Sequence, residues 1–261
     1  MVETRARNGG SDQYFTKQYI ADYLSCIVYE RYGNDPLYIE PTAGNGAFLK
    51  RIPGIIGFDL YPQNEAIIEA NVFDLKFFPN NVLIGNPPFG TNSSLAIKIF
   101  NHIAKFQVKA ICFIVPKTFK KQSVHDKLDR NYWLVEEYDI PFKSFVVSDS
   151  EYGVPCVFQI WEHSVRKRET KVKQDCPWIE FVPKNQADIA VRRVGGKAGC
   201  LLGGLDHQEA STYFLKIRDP LVVKAIQLMN RSFVDFTASV RSISKDELCS
   251  EINKIMNILK E

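Results

Sequence analysis

Val82-Leu83-Ile84-Gly85 is a short, uninterrupted apolar run that stops on Asn86-Pro87-Pro88-Phe89. Such a run, bounded by a turn, reads as a strand buried on both faces, and two consecutive prolines end its ladder. The chain must therefore leave a sheet with a polar amide, a stiff turn and an aromatic ring grouped at one strand's carboxyl end. In open α/β sheets that end is where ligands bind. An Asn oxygen and a backbone carbonyl stiffened by proline both accept hydrogen bonds from an exocyclic amino group. A ring beside them stacks on a planar base. The group suits a planar amine.

A second element lies upstream. The short strand Leu37-Tyr38-Ile39 runs into Glu40-Pro41-Thr42-Ala43-Gly44-Asn45-Gly46-Ala47-Phe48, with a helix expected to start around Phe48-Leu49-Lys50. Strand, glycine turn and helix together allow close backbone approach to a nucleotide-like ligand. Only Gly44 and Gly46 form the glycine pair, and no Gly-Lys-Ser/Thr follows, so a phosphate cradle is not indicated. Glu40 would repel phosphate and suits a cationic group. Ile55-Ile56-Gly57-Phe58 ends on Asp59, whose carboxylate can accept both hydroxyls of a ribose. Val72-Phe73-Asp74-Leu75 offers a further acid for an adenine amino group, with apolar neighbours to sandwich the ring.

Taken in this order, the segments resemble the class I S-adenosylmethionine-dependent amino-methyltransferases, and within them the N6-adenine DNA methyltransferases. The segment Gln13-Tyr14-Phe15-Thr16 is similar to the one that precedes the cofactor motif in that family and helps close its methionine pocket. The resemblance covers roughly residues 11 to 163 and follows the gamma order, with cofactor segment, catalytic motif and C-terminal remainder in succession. It implies S-adenosyl-L-methionine as cofactor, bound by Tyr14, Phe15, Thr16, Glu40, Pro41, Thr42, Gly44, Gly46, Asp59, Leu60, Asp74, Leu75 and Asn86. It implies Asn86, Pro87, Pro88 and Phe89 as the catalytic motif, and adenine in DNA as the methyl acceptor. RNA adenine enzymes share the motif, and Gly90-Thr91 resembles their ribosomal-RNA branch; Phe89 stands where the protein-glutamine enzymes carry Tyr. The Glu-Pro-Thr-Ala-Gly form of the cofactor motif favours DNA. A third reading is a silent nucleic-acid-binding subunit on the same scaffold.

Phe89 is expected on one face of the target base. The second ring is sought in the aromatic stretch from Pro141 to Gly153, where Phe145, Phe142 and Tyr152 are candidates and Phe145 is the assigned one. No histidine is required as a base; His102, His125, His163 and His207 read as packed or surface residues.

With 261 residues, 45% of them apolar, the chain can bury one large α/β core plus an appendage. Six scattered cysteines without a Cys-x-x-Cys pair argue for reduced thiols and against zinc, so no metal is expected. The absence of a long apolar stretch and of an apolar core after Met1 leads to the expectation of a cytoplasmic protein without membrane contact, monomeric or homodimeric, with a partner subunit conceivable. A net charge of +3 is too small to indicate nucleic acid by itself, so the distribution matters. Lys117 and Lys120 follow an apolar strand. Arg192, Arg193 and Lys197 surround Gly195-Gly196, where backbone can approach phosphates. The run Arg166, Lys167, Arg168, Lys171 and Lys173 reads as a solvated linker or as a further phosphate contact.

The remaining pattern predicts a first helix from Thr16 to Tyr32, strands near 37–40, 55–59, 82–85 and 109–115, and an amphipathic helix over Leu95 to Ala104. Trp133 to Pro141 and Val154 to Trp161 read as an antiparallel pair. The expected fold is a doubly wound, mostly parallel, seven-stranded Rossmann-like sheet with an antiparallel last strand, over residues 1–165. Residues 166–261 are expected to form a small α+β extension, serving either in target recognition or as a scaffold: a strand near Pro177 to Pro183, a glycine-turned hairpin within 187–202, and helices over 219–229 and 245–259 with Ser244 and Glu247 as a cap.

Overall fold

The computed structural model describes residues 14–147, 150–169, 175–230 and 241–261. Gln13, and Thr170 to Gln174 of the basic run, lie outside them. The chain divides into two compact units, residues 1–169 and 170–261.

In the first unit β1 (Phe15–Thr16) leads into α1 (Gln18–Tyr32), β2 (Leu37–Glu40), β3 (Ile56–Asp59) and β4 (Ile67–Glu69). There follow β5 (Asn81–Gly85), α2 (Ser94–Ala104), β6 (Ala110–Pro116), the single turn α3 (Gln122–His125) and β7 (Tyr132–Asp139). A small ribbon of β8 (Phe145–Val147) and β9 (Ser150–Tyr152) precedes β10 (Cys156–His163). Seven of these strands form one sheet in the order β4-β3-β2-β5-β6-β10-β7. All neighbours are parallel except β10, which runs antiparallel to both β6 and β7. The expected mostly parallel sheet of seven strands with an antiparallel last strand is thus the observed one.

Burial on both faces explains the apolar runs. Leu83, Ile111, Phe113 and Trp161 point to one side, against Ala96, Ile99, Phe100 and Ile103 of α2. Val82, Ile84, Cys112, Ile114 and Phe158 point to the other, against Ile20, Ala21, Leu24 and Val28 of α1. Each β5 residue is buried, so the end of β5 has a rigid base.

Three expectations are corrected. The first helix begins at Gln18, because Phe15 and Thr16 pair with Val146 and Phe145 in a second, three-stranded sheet, β1-β8-β9. No helix follows the glycine pair; residues 41–54 are a succession of turns. Gly44 and Gly46 both have positive φ (56° and 78°), and a Cβ at Gly46 would meet Leu49 Cδ1 at 2.9 Å. The boundary between the units falls after Glu169, not after residue 165. Arg168 explains this: its guanidinium donates to the carbonyls of His125, Leu128 and Asp129 at 3.0–3.2 Å and lies over the Trp161 ring, while Trp133 Nε1 donates to Arg166 O. The start of the basic run is therefore part of the first unit's packing.

The second unit holds β11 (Ile179–Phe181), β12 (Ile189–Arg192), β13 (Leu201–Leu202) and β14 (Thr212–Ile217), in the sheet order β11-β14-β12-β13, with α4 (Leu221–Leu228) and α5 (Lys245–Lys260). Val191 and Leu215 pack with Val222, Ile226, Leu248 and Ile252 of the two helices. The predicted capping box is present: Ser244 Oγ accepts from Glu247 N, and Ser244 N donates to Glu247 Oε2.

Candidate active site

The parallel neighbours β3, β2 and β5 end side by side on Asp59, Glu40 and Gly85-Asn86. A cleft opens over these three ends. It is lined by Tyr14, Phe15, Thr16, Glu40, Thr42, Gly44, Asp59 and the stretch Asn86 to Phe89, with Ala43, Asn45 and Ala47 completing the wall.

Asn86 is held by the N-terminal strand. Its Nδ2 donates to the Tyr14 carbonyl at 2.9 Å and to Thr16 Oγ1 at 3.2 Å. A carbonyl can only accept, so the amide is oriented with its nitrogen towards Tyr14. Its oxygen, Oδ1, is buried and has no partner among the described residues. Pro87, Pro88 and Phe89 line the cleft beside it. The Phe89 ring stacks on Tyr14 (centroids 6.3 Å, 23° between planes), and Tyr14 stacks in turn on Tyr152 (5.0 Å, 30°).

Glu40 is 2% exposed, and among the described residues its Oε2 has no hydrogen-bond partner; neither has the buried Thr42 Oγ1. Burial, with the Asp59 carboxylate adding to it, pushes the Glu40 carboxyl well above its usual range, against a hydrogen bond from the Phe48 backbone. An unpaired acid of this kind is stabilised by an arriving cation. Asp59, itself 4% exposed, accepts from Gly44 N at its Oδ2 and from Tyr61 N at its Oδ1, both at 2.8 Å. It therefore ties the glycine turn to the end of β3. The Phe15 ring closes on Gly44, where a Cβ would sit 3.1 Å from Phe15 Cε1.

Several assigned residues lie elsewhere. Leu60 is 42% exposed and Asp74 is exposed, on a 3-10 turn over Val72–Asp74; neither lines the cleft. Leu75 packs against the α2 side of the core. Pro41 and Gly46 are buried beside the cleft without lining it. Phe145 is corrected outright: it is 0% exposed, its β8 residue pairs with Thr16 and Tyr152, and its ring belongs to the α1-side core. A ring without exposed surface cannot stack on an incoming base. The other two candidates, Phe142 (68%) and Tyr152 (42%), are exposed. The missed lining residues Ala43, Asn45 and Ala47 sit inside the flagged Glu40 to Phe48 segment and carry no chemical signal of their own.

The basic residues fall in both units. Lys120 pairs with Glu137 (2.9 Å) and Asp139 (3.1 Å), and Lys117 lies 3.6 Å from Asp139, so the charge of both is partly countered. In the second unit Arg192 donates to Ser211 Oγ, Arg193 lies over the Tyr213 ring, and Lys197 is exposed on the turn between β12 and β13.

No family model matches this sequence, and no curated protein does. Among solved structures it is similar to a proposed RNA methyltransferase from Pyrococcus horikoshii (13% identity, 63% of this chain and 91% of that one, TM-score 0.46). It is also similar to an S-adenosylmethionine-dependent O-methyltransferase from Thermotoga maritima (12%, 60% and 69%, 0.38). A third is the tRNA (uracil-54, C5)-methyltransferase of Pyrococcus abyssi in complex with S-adenosyl-L-homocysteine (17%, 58% and 40%, 0.35). These likenesses concern the fold alone.

Proposed function

We propose that this protein transfers a methyl group from S-adenosylmethionine to the N6 amino group of adenine in DNA. One observation carries the reading: the amide of Asn86 is turned so that its nitrogen is engaged by Tyr14 and Thr16, while its oxygen stays buried and unpartnered beside the Pro87-Pro88-Phe89 turn. A buried acceptor left in this state calls for a donor from a ligand.

The residues present fit the cofactor. Its ammonium suits the unpartnered Oε2 of buried Glu40, and Thr42 Oγ1 offers a further polar contact. Asp59, a carboxylate at the end of β3 that lines the cleft, suits the ribose hydroxyls. Tyr14, Phe15 and Thr16 wall the same cleft. The chemistry supplied by bound S-adenosylmethionine is an electrophilic methyl carbon on a sulfonium.

The protein's own part is to position and polarise the acceptor. Asn86 Oδ1 and the Pro87 carbonyl accept the two amino hydrogens, which draws the nitrogen lone pair out of the adenine ring and favours the tetrahedral geometry of attack. The nitrogen's proton leaves to solvent after transfer, so no basic side chain is needed. Phe89 covers one face of the base, and an exposed ring, Tyr152 of β9 or Phe142 in the turn ahead of β8, serves the other in place of Phe145. A duplex base must be extruded to reach such a cleft. Arg192, Arg193 and Lys197 are assigned to backbone phosphates, and Lys117 and Lys120 would have to exchange acidic partners for them.

The test is transfer of labelled methyl to duplex DNA, single-stranded DNA and structured RNA in parallel, with nucleoside analysis. N6-methyladenine in DNA is the expected product. Label confined to RNA would move the substrate to RNA adenine, and cofactor binding with no transfer to any of the three would overturn the enzymatic reading.

A further inference from the structure

Cys176 and Cys249 stand far apart in sequence and meet in the second unit. Cys249 lies on α5, 7% exposed, within the core formed by Val191, Leu215, Leu248 and Ile252, and Cys176 packs against that core from just before β11. The meeting is pinned one helical turn further on, where Asn253 Nδ2 donates to the Asp175 carbonyl at 3.1 Å. The two thiols are neighbours in this packing, and the turn that carries Cys176 is closed by Ile179 N donating to the Cys176 carbonyl at 3.3 Å. Cys176 is half-buried and so within reach of a small solute, whereas its partner is not.

We propose that Cys176 and Cys249 are a redox pair that closes to a disulfide when a hydroperoxide oxidises Cys176. The asymmetry of the pair sets the order of events. Cys176 is the more exposed of the two, and the Cys249 thiol beside it holds it below the usual thiol range, so it is the sulfur that a peroxide meets first. The Cys176 thiolate attacks one peroxide oxygen, the O–O bond breaks, and water leaves after protonation, giving a sulfenic acid. The Cys249 thiol then attacks the sulfenic sulfur; the S–S bond forms and a second water leaves. Two thiols lose two electrons and two protons, and the hydroperoxide, for hydrogen peroxide, becomes two waters. The bond would close most of the second unit into one covalent loop and hold α5 against the start of β11. This site is independent of the methyl-transfer reading.

The experiment treats the native full-length chain with equimolar hydrogen peroxide, then denatures, alkylates and digests it with trypsin. The expected product is one linked pair of peptides, Gln174–Lys184 with Asp246–Lys254, lighter by two hydrogens than their sum and separated by dithiothreitol. Titratable thiols fall from six to four. With Cys249→Ser, a 1,3-dione probe should label Cys176 as the stranded sulfenic acid. Persistence of six thiols, or linkage of Cys176 to Cys26 or Cys200 instead, would overturn the pairing. Labelling of exposed Cys26 with none at Cys176 in the Cys249→Ser variant would overturn the order of attack.

Discussion

The side-chain amide of Asn86 donates to the hydroxyl of Thr16 across 3.2 Å of space and 70 residues of sequence. The strand that carries Thr16 also walls the cleft and pairs with β8, and the next residue fastens it to the same ribbon, through Lys17 N to Ser144 O at 3.0 Å and an ion pair of Lys17 with Glu151 of β9. Orientation of the amide and closure of the cleft therefore depend on the same two-residue strand.

Thr16→Val should keep the strand's shape and remove one of the two acceptors that orient the amide. The expected loss is about one hydrogen bond, roughly 1 kcal/mol, read as a severalfold fall in kcat with KM for nucleic acid little changed. Thr16→Ser should restore the rate. Equal activity of Val and Thr at this position would show that the Tyr14 carbonyl orients Asn86 without help.

Asn86→Ala removes the acceptor itself. A loss of about 10²- to 10³-fold in kcat is expected, as for other preorganised hydrogen-bonding groups at a reacting centre. Calorimetric affinity for S-adenosylmethionine should stay within about twofold. A collapse of cofactor affinity would mean that Asn86 serves the cofactor and not the base.

Glu40 links pH to both stability and binding. Its pKa is raised above the ordinary 4.5 by burial, so the folded chain binds more protons than the unfolded one between 4.5 and the raised value. Stability from this group is complete below 4.5 and is lost as pH rises through the folded pKa. Glu40→Gln should abolish that decline in a series of Tm measurements against pH. It should also weaken S-adenosylmethionine at least tenfold, because the ammonium loses its carboxylate. A Tm profile identical to that of the unsubstituted protein would place the carboxylate in contact with solvent.

Asp59→Ala should cost more than affinity. The carboxylate ties Gly44 N and Tyr61 N together, and leaving both donors without it should destabilise the fold by roughly 2–4 kcal/mol, a clear drop in Tm. Cofactor affinity should fall as well. An unchanged dissociation constant in the folded variant would remove Asp59 from the ribose site.

Phe145 and Phe89 should separate cleanly. Phe145→Ala should destabilise by about 3–5 kcal/mol, as expected for a fully buried ring. Phe89→Ala should instead raise KM for nucleic acid while the Tm changes less. Chemical denaturation and steady-state kinetics of the two variants report on both.

Local pattern was enough for a good part of this protein. The apolar runs at 37–39, 55–58 and 82–85, each followed by Glu, Asp or Asn, mark parallel strands of a sheet covered on both faces, because side chains that avoid water occupy such positions. The Ser244–Glu247 cap and the amphipathic spacing of α2 are equally local, since both depend on residues three or four apart. What required the tertiary structure were relations between distant segments. Glycine spacing could not tell a helix from the turns that follow Gly46, because the outcome turns on how Leu49 packs over Gly46 and Gly57. Nothing in the aromatic stretch from Phe142 to Tyr152 distinguishes a core ring from an exposed one until pairing with β1 directs Phe145 inward. Arg168 looks like linker charge until it meets the carbonyls at the end of α3. The sequence by itself determined which acids and which amide stand at the strand ends; the fold decided that Tyr14 and Thr16 would take the nitrogen of Asn86 and leave its oxygen unpaired in the cleft, because hydrogen-bond partners are chosen by proximity in space.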